Sequence, residues 1–311
     1  EVPKAYDEPF ADSSQIPTML ISKFTKKDVK VVLGGDGGDE LFCGYNRYMI
    51  AHKYWYLIDF LPIFIRKKIL DLIKILNFKQ FNYLIKFLAF IFNDKSSLRN
   101  KSTKIYSKLS SFENKLLFYK SFITEWDNES NIIDFFDDNH SIFDNIFINE
   151  KNYKIENLMM KSDFISYLPD DILTKVDRAS MFYGLEARSP FLNKELIEYS
   201  FSVSVKNKIN NGISKSILKS ILSKYIPQEL FIRPKQGFAV PIKKWLKNEL
   251  NDWTIENISK DSCNLHGFFN YEIIKKTYDN HLINGINNEH KLWSVIQFNQ
   301  WYKEHSQYIS N

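Results

Sequence analysis

Three acidic side chains and four glycines are crowded into one short segment of this sequence. The acids, Asp36, Asp39 and Glu40, fall within five positions directly after an apolar run. A glycine nest that follows a strand binds anions through converging backbone N–H groups, and the start of the next helix adds partial positive charge. Acids repel a polyphosphate unless a cation lies between them, and Mg²⁺, which takes one or two carboxylates plus phosphate oxygens, meets that need. The interspersed glycines are Gly34, Gly35, Gly37 and Gly38.

The simplest chemistry for this segment is the binding of a phosphate or carboxylate ligand together with Mg²⁺. The alternative is a tight strand-to-helix turn in which Asp39 is the helix N-cap and no ligand binds. The common nucleotide signatures are missing, because GxxxxGK[ST] does not occur and Glu40 stands where GxGxxG needs its third glycine. The six histidines have no zinc-site spacing either.

Composition indicates an ordinary globular protein and excludes several other classes. Of the 311 residues, 44% are hydrophobic and 25% are charged, and the net charge is +5. The basic residues are diluted by Asn, Asp and Glu, which argues against a nucleic-acid partner. No apolar stretch approaches the roughly 20 residues that span a bilayer, so we expect no membrane partner. Two cysteines, Cys43 and Cys263, are too few for a disulfide framework, so we expect a cytoplasmic protein.

The glycine-rich segment belongs to an α/β unit that covers residues 1–51. Ser13 and Ser14 predict the N-cap of a helix. The β-branched run Val29–Leu33 then predicts a buried parallel strand, and a second helix begins near Asp39. Helix, strand, glycine loop and helix form one unit of a doubly wound sheet, although no other segment predicts a parallel strand as convincingly. The apolar face predicted for the first helix is Ile16, Leu20 and Phe24.

The rest of the chain predicts helices. Residues 52–155 are rich in Phe, Ile, Leu, Lys and Asn at helical spacing and contain almost no glycine. In residues 156–311 one helix is expected to begin after Pro169, and Asn193 is expected to cap another. The predicted fold is therefore α/β with a large helical share: a partial doubly wound parallel sheet, a helical middle and a helical region that closes the active site.

The segment VVLGGDGGDELFCGYNRY, at 31–48, resembles a loop of the asparagine synthetase family. That family has a Ser-Gly-(Asp/Glu)-Gly-(Gly/Ser)-Asp-Glu core followed by Phe-Gly-Gly-Tyr. Four other blocks resemble the family in the same order, so the resemblance covers nearly the whole chain apart from its helical middle. These blocks are DEPFADSS (7–14), YLPDDILTKVDRAS (167–180), LEARSPFL (185–192) and RPKQGF (233–238) with Pro241 and Trp245.

The resemblance implies a synthetase domain similar to the ATP pyrophosphatases, with ATP and Mg²⁺ as cofactors. Such a domain activates the side-chain carboxylate of aspartate as an acyl-adenylate and releases pyrophosphate, and ammonia then displaces AMP. The ammonia comes from glutamine through an N-terminal glutaminase domain. Neither that domain nor the family's Ser-Gly-Gly-x-Asp-Ser-Ser pyrophosphate loop occurs in these residues, and both normally precede this part of the family sequence. The chain is thus expected to be a C-terminal part that is inactive by itself.

The resemblance also implies roles for the residues of the glycine-rich segment. Gly34 and Gly35 lie beside the nucleotide or the adenylate, and Gly37 and Gly38 complete the nucleotide-binding loop. Asp36 lies near the point of attack, where a carboxylate can accept a proton from the ammonium nucleophile. The candidates for the Mg²⁺–pyrophosphate contact are Asp39, Glu40 and Lys235.

Other candidates come from the later blocks. Lys215 matches the family lysine that stabilises the negative charge developing during acyl transfer, an electrostatic effect of several kcal/mol; the alternative is an ordinary surface lysine. Arg188 either positions substrate or pairs with an Asp at the helix junction. Lys235 either reaches pyrophosphate or flanks a turn at Gly237. Asp12 and Ser13 either face the substrate amino group or form the start of a helix.

Three positions depart from the family pattern, and two other functions stay open. Gly34 replaces a Ser, Cys43 replaces a Gly, and Asn193 replaces an Asp. A related amidotransferase acting on another carboxylate, such as a sugar uronate, or closing a β-lactam-type ring, shares the same loop. A non-catalytic helical assembly module derived from the enzyme is the third hypothesis. Homodimer formation is left open by the sequence.

Overall fold

In the residues that it describes, the computed structural model has a two-stranded parallel sheet and many helices, which confirms the predicted α/β fold with a large helical share. It describes residues 1–75, 109–126, 132–133, 142–149, 152–231, 237–238, 240–283 and 286–309. The first elements are α1 (Val2–Ala5), α2 (Gln15–Thr25), β1 (Val31–Leu33), α3 (Gly38–Leu41), α4 (Asn46–Ile50), α5 (Tyr56–Asp59) and α6 (Ile63–Ile75). Then follow α7 (Lys115–Ile123), α8 (Ile142–Asn149), α9 (Ile155–Ser162), α10 (Thr174–Met181) and β2 (Glu186–Arg188).

After β2 the regular elements of the described chain are helices joined by turns and loops. These helices are α11 (Lys194–Ser202), α12 (Val205–Lys208), α13 (Ser216–Leu222), α14 (Ile242–Lys247), α15 (Asn251–Asn257), α16 (Lys260–Asn264), α17 (Tyr271–Leu282) and α18 (Glu289–Ile309). Asn193 caps α11 as predicted, because its side-chain oxygen accepts from the backbone N–H groups of Glu195 and Leu196. Within the described parts of the chain, no helix combines the length and apolar character needed to cross a bilayer.

The sheet contains a parallel strand that the sequence did not predict. β1 pairs with β2, and Val32 stands opposite Ala187. The pairing continues past β1, because the backbone N–H of Gly34 donates to the carbonyl of Arg188 at 2.7 Å. β2 escaped prediction because it is only three residues long and Glu186 and Arg188 are charged. The parallel arrangement places the residues that follow both strands at the same edge of the sheet.

The apolar surface of the α/β unit is more exposed than its sequence predicted. On α2, Leu20 and Phe24 are exposed, whereas Met19 is buried beside α10. On β1, Val31 and Leu33 are exposed, so the prediction of a buried strand is wrong for this structure. Helical and strand spacing correctly predicts apolar faces, but the neighbouring elements decide which of these faces is covered.

The predicted helix after Pro169 begins much earlier than expected. The helix α9 runs without a break into a π-helical segment, Asp163–Leu173, and then into α10. Proline lacks an N–H and collides with the preceding turn of an α-helix, and a wider π turn accommodates it. The hydroxyl of Thr174 donates to the carbonyl of Pro169 at 2.9 Å and so satisfies an acceptor in this turn. Pro169 is therefore an internal residue of one long helical run.

Among the described residues, three apolar clusters hold these elements together. The largest joins α4, α7 and α9, and it includes residues from all three predicted regions of the chain. The most buried large side chains of this first cluster are Tyr48, Trp55, Phe118, Tyr119 and Met159. The domain boundaries at 51/52 and 155/156 stay predictions. The second cluster includes Ile242, Leu246, Ile274, Leu292 and Ile296, and the third includes Tyr6, Phe10, Met19 and Ala179.

Candidate active site

The carboxylate of Asp36 lies at the edge where β1 and β2 end. Its Oδ2 accepts a hydrogen bond of 3.2 Å from the hydroxyl of Ser189, which directly follows β2. Oδ2 also lies over Gly34, where a Cβ atom would stand only 2.6 Å away. A Cβ on Gly35, in contrast, would have no atom within 4 Å. Asp36 is thus held by the second strand, and Gly35 borders open space that a ligand can enter.

A Cβ atom on Gly37 or Gly38 would face the protein interior, and their predicted place at the nucleotide stays a prediction. Gly37 has φ = +86°, and a Cβ there would lie 2.6 Å from Leu192 Cδ2. A Cβ on Gly38 would touch the ring of Phe191 at 3.4 Å, and its N–H donates to the carbonyl of Gly35. The N–H of Gly34 is used in the sheet, so the amides of Gly34 and Gly38 both donate within the protein, and the predicted anion cradle stays a prediction. Packing accounts for Gly37 and Gly38.

Asp39 and Lys215 form an ion pair beside this loop. Lys215 Nζ lies 3.0 Å from Asp39 Oδ1, and both side chains are about one quarter exposed. Lys215 has φ = +54°, a left-handed conformation that is uncommon for residues other than glycine and that concentrates at functional sites. The structure therefore brings together the two residues that the sequence predicted for metal–pyrophosphate contact and charge stabilisation.

A hairpin turn presents Lys215 to the loop. Asn210 and Ile213 exchange backbone hydrogen bonds of 3.1 and 2.8 Å, and both residues between them, Asn211 and Gly212, have positive φ. Positive φ at both central positions is the type I′ turn that an Asn-Gly pair favours. Lys215 follows two residues later, immediately before α13. The Asn-Gly pair was a visible signal in the sequence from which this turn could have been predicted.

Glu40 lies inside the protein, and its predicted contact with the metal stays a prediction. Its side chain is buried, and Oε1 accepts a 2.5 Å hydrogen bond from the hydroxyl of Tyr45. Burial raises the pKa of Glu40, although the Tyr45 hydrogen bond acts in the opposite direction. The guanidinium of Arg47 lies over the rings of Tyr45 and Tyr167 at 4.4 and 4.6 Å, and its Nε donates to buried Asp163 at 2.9 Å. Glu40 thus belongs to a buried network that supports the loop from behind.

Asp12 lies in a second charged cluster, with Lys175 and Asp171. Lys175 Nζ is 2.5 Å from Asp12 Oδ2 and 3.8 Å from Asp171 Oδ1. Burial opposes ionisation of Asp12, but the neighbouring ammonium outweighs it and keeps the pKa of Asp12 below its ordinary value. Burial and then the charge of Asp12 raise the pKa of Asp171 to about 7. Asp12 also accepts from the backbone N–H and hydroxyl of Ser14, so it contributes to the start of α2.

The remaining residues predicted for the site are Ser13, Arg188 and Lys235. Ser13 is buried, and Ser14 rather than Ser13 occupies the N-cap position of α2. Arg188 is exposed and its Nε donates to Glu186 at 2.8 Å, so the predicted pairing with an Asp is wrong. Lys235 lies outside the described residues.

The acids of this site offer Mg²⁺ at most a partial set of ligands. Among the described residues, no group of three His, Cys, Asp or Glu side chains could enclose a metal ion. Asp39, which is partly exposed, fits the usual Mg²⁺ arrangement of one carboxylate plus phosphate oxygens. The two cavities that stand out in the described parts of the chain lie elsewhere, one of about 360 Å³ beside Arg178 and an apolar one of about 390 Å³ beside Phe298.

Several residues that organise the site were not among those predicted from the sequence. Ser189 orients Asp36, Lys175 neutralises Asp12, and Arg47 connects the loop to Asp163. The spacing of Asp171 and Lys175, one helical turn apart, was a signal for an ion pair. No sequence signal predicted the partners of Ser189 and Arg47, because they lie more than 100 residues away along the chain.

Comparison with known proteins agrees with this combination of fold and charged loop. The geometry defines a class of protein: an α/β protein in which acids and a lysine lie together after a parallel strand. The family model for asparagine synthase matches residues 1–303, and the chain belongs to that family. It is 28% identical over 310 residues to asparagine synthetase [glutamine-hydrolyzing] 1 of Bacillus subtilis, covering 97% of this chain and 45% of that protein.

Other relatives agree in family and in coverage. A putative asparagine synthetase [glutamine-hydrolyzing] of Mycobacterium tuberculosis is 26% identical over 310 residues, which are 96% of this chain and 44% of that protein. A putative asparagine synthetase [glutamine-hydrolyzing] 2 of Methanocaldococcus jannaschii is 50% identical over 64 residues, which are 20% of this chain and 12% of that protein. The chain thus spans less than half the length of these curated relatives.

Proposed function

We propose that the protein containing this chain is a glutamine-dependent asparagine synthetase. It adenylates the side-chain carboxylate of aspartate with ATP and releases pyrophosphate. Ammonia from glutamine then gives asparagine and AMP. The observation that carries the proposal is the ion pair of Asp39 and Lys215, 3.0 Å apart beside the loop that ends β1. Membership of the asparagine synthase family supports it, as do relatives named as glutamine-hydrolysing enzymes. The partner would be an N-terminal glutaminase domain.

Each residue of the site has a separate task in this proposal. Lys215 directs a positive charge at the oxygens that become negative during acyl transfer, which is the kind of electrostatic contribution that lowers such barriers most. Asp36, oriented by the Ser189 hydroxyl, accepts a proton from the nitrogen of ammonia as it attacks the acyl-adenylate and AMP leaves. Gly35 leaves room for the nucleotide. Asp39 would hold Mg²⁺, which supplies charge neutralisation for the departing pyrophosphate.

The charged cluster around Asp12 is a candidate site for the amino group of aspartate. Its Asp12 carboxylate is ionised and only partly exposed, and Ser13 precedes the same helix. Lys175 already neutralises Asp12, so the substrate ammonium would compete with Lys175 or pair with the second acid, Asp171.

Exchange of labelled pyrophosphate into ATP tests the proposal. The natural gene product that contains these residues should catalyse exchange when aspartate and Mg²⁺ are present. Lys215→Ala or Asp39→Ala should reduce the rate by about 10²-fold or more, as loss of a charge-stabilising group does. Lys224→Ala, which removes an exposed lysine further along the same segment, is the matched control and should keep the wild-type rate. Near-normal exchange by both site variants would overturn the site assignment.

The choice of acceptor carboxylate is tested in the same assay. Aspartate is compared with sugar uronates and with β-amino acids that could close a lactam ring. Exchange that depends on one of these and not on aspartate would replace asparagine synthesis with the related amidotransferase. Absence of exchange with every carboxylate would favour the non-catalytic assembly module.

A further inference from the structure

The ion pair of Asp39 and Lys215 lies directly against the backbone of Gly44, a glycine without a role in the proposed function. Gly44 is buried, and its N–H donates to the carbonyl of Asp39 at 2.8 Å. A Cβ atom built on Gly44 would lie 1.8 Å from Asp39 Oδ1 and 2.3 Å from Lys215 Cε. Real Cβ atoms do not approach other heavy atoms so closely. The two side chains therefore meet in the space that a side chain at residue 44 would occupy.

Backbone conformation does not explain the glycine. Gly44 is absent from the described residues with left-handed φ, which include its neighbour Cys43 at +57°. An alanine could therefore adopt the backbone of Gly44 without strain, and only the space above its α-carbon is lost. Both atoms in the way belong to side chains that can rotate. A methyl group would displace the ion pair rather than the fold.

We propose that Gly44 is a positioning residue for the proposed adenylation: its missing Cβ lets Asp39 and Lys215 meet at the site. Both partners would have to move, because Asp39 Oδ1 and Cγ lie 1.8 and 2.7 Å and Lys215 Cε lies 2.3 Å from that Cβ position. Misplacement of a catalytic group by about 1 Å can cost about 10²-fold in rate. The inference rests on the proposed function for its effect on rate, but the steric relation itself does not.

Chemical labelling measures the ion pair without relying on activity. Acetic anhydride acetylates lysine amines that it can reach, and the carboxylate of Asp39, 3.0 Å from Lys215 Nζ, shields this amine in the wild type. Mass spectrometry then gives the acetylation rate of Lys215 in wild type, Gly44→Ala and Asp39→Ala. We expect both variants to raise that rate above the wild-type rate, because each removes the contact between the ammonium group and Asp39. Gly267→Ala is the control, because Gly267 has φ = +72° and open space, so it loses stability through strain alone.

A double variant separates the steric effect from general damage. Asp39→Ala removes the carboxylate that blocks a Cβ on Gly44, so Gly44→Ala should lower the melting temperature less in that background than in wild type. This comparison stays informative if Gly44→Ala alone does not fold, because the double variant should then fold. Equal losses in both backgrounds, or an unchanged acetylation rate of Lys215 in folded Gly44→Ala, would overturn the proposal.

The pyrophosphate exchange assay then completes the test. Gly44→Ala should lower the turnover rate about 10²-fold with a smaller change in KM for ATP, whereas Gly267→Ala should alter neither. Unimpaired exchange by Gly44→Ala would refute the positioning role. If the wild-type protein exchanges with no carboxylate, the proposed function fails, and the labelling and stability results still decide whether Gly44 makes room for the ion pair.

Discussion

Replacing Arg47 with methionine should expose how strongly the site depends on one buried charge. The Asp163 carboxylate is completely buried. Arg47 Nε donates to its Oδ2 at 2.9 Å, and the same oxygen accepts from the hydroxyl of Tyr48. Its other oxygen accepts from the hydroxyl of Tyr119 at 2.8 Å. Arg47→Met removes the only positive charge in this set of contacts and leaves the carboxylate among tyrosines.

The size of the effect follows from the burial of both partners. Removing one partner of a buried ion pair typically costs about 3–5 kcal/mol, because the remaining charge stays desolvated. The two tyrosine hydroxyls reduce that cost, so we expect about 3 kcal/mol at neutral pH. A loss of this size lowers the melting temperature of a 150–250-residue domain by about 6–12 °C. Asp163→Asn added to Arg47→Met removes both charges and should recover part of the loss.

The effect should also depend on pH with a definite sign. Burial raises the pKa of Asp163 even though Arg47 and the tyrosines favour its ionised form. Without Arg47 that pKa rises further above the unfolded value. A raised carboxyl pKa means that the folded state holds a proton which the unfolded chain has released, so stability is lost as pH rises through the folded pKa. The deficit of Arg47→Met should therefore be smaller at pH 5 than at pH 7.5.

Thermal unfolding followed by circular dichroism at both pH values provides the measurement. Wild type, Arg47→Met and the double variant with Asp163→Asn are compared at equal protein concentration. The reasoning is refuted if Arg47→Met melts within about 2 °C of wild type at pH 7.5. It is also refuted if the deficit grows on acidification, or if Asp163→Asn deepens the loss.

Three further predictions concern single positions. Cys43→Gly should leave the free energy of unfolding within about 1 kcal/mol of wild type, because relief of the left-handed strain offsets the lost burial. Cys43→Val should lower the free energy of unfolding, measured by urea titration, by more than about 2 kcal/mol. Asp171 has a pKa raised to about 7 by burial and by Asp12, so wild type should lose stability between pH 5 and 8, and Asp171→Asn should show a flatter melting profile. Gly37→Ala should lower the free energy of unfolding by about 1–3 kcal/mol, because φ at this residue is +86° and the new Cβ would meet Leu192. An unchanged urea midpoint would contradict this prediction.

The strained Cys43 shows how a family pattern becomes intelligible through structure. The sequence showed that Cys43 stands where the family has glycine, but it gave no reason for the glycine. The backbone at this position has φ = +57°, which glycine adopts freely and cysteine does not. Its thiol is buried and its pKa is raised to about 12, so we do not expect it to be reactive.

Local chemistry was sufficient to predict much of the helical part of the chain. The cap at Asn193, the helix after Ser14 and the strand at Val31–Leu33 depend on neighbours in the sequence, and the structure contains all three. The short strand β2 and the π-helical turn around Pro169 were not predictable in this way. The first is stabilised by pairing with a distant strand, and the second by a helix that continues on both sides of a proline.

The sequence by itself determined that acids and glycines crowd the end of a strand, and that a lysine far along the chain belongs with them. Only the tertiary structure decided which of these groups face each other. It pairs Asp39 with Lys215 across Gly44, and it turns Glu40 inward to Tyr45. The physical reason is that residue type and spacing fix what a side chain can do. Its charge partners and burial depend instead on elements that the chain brings together from more than 100 residues away.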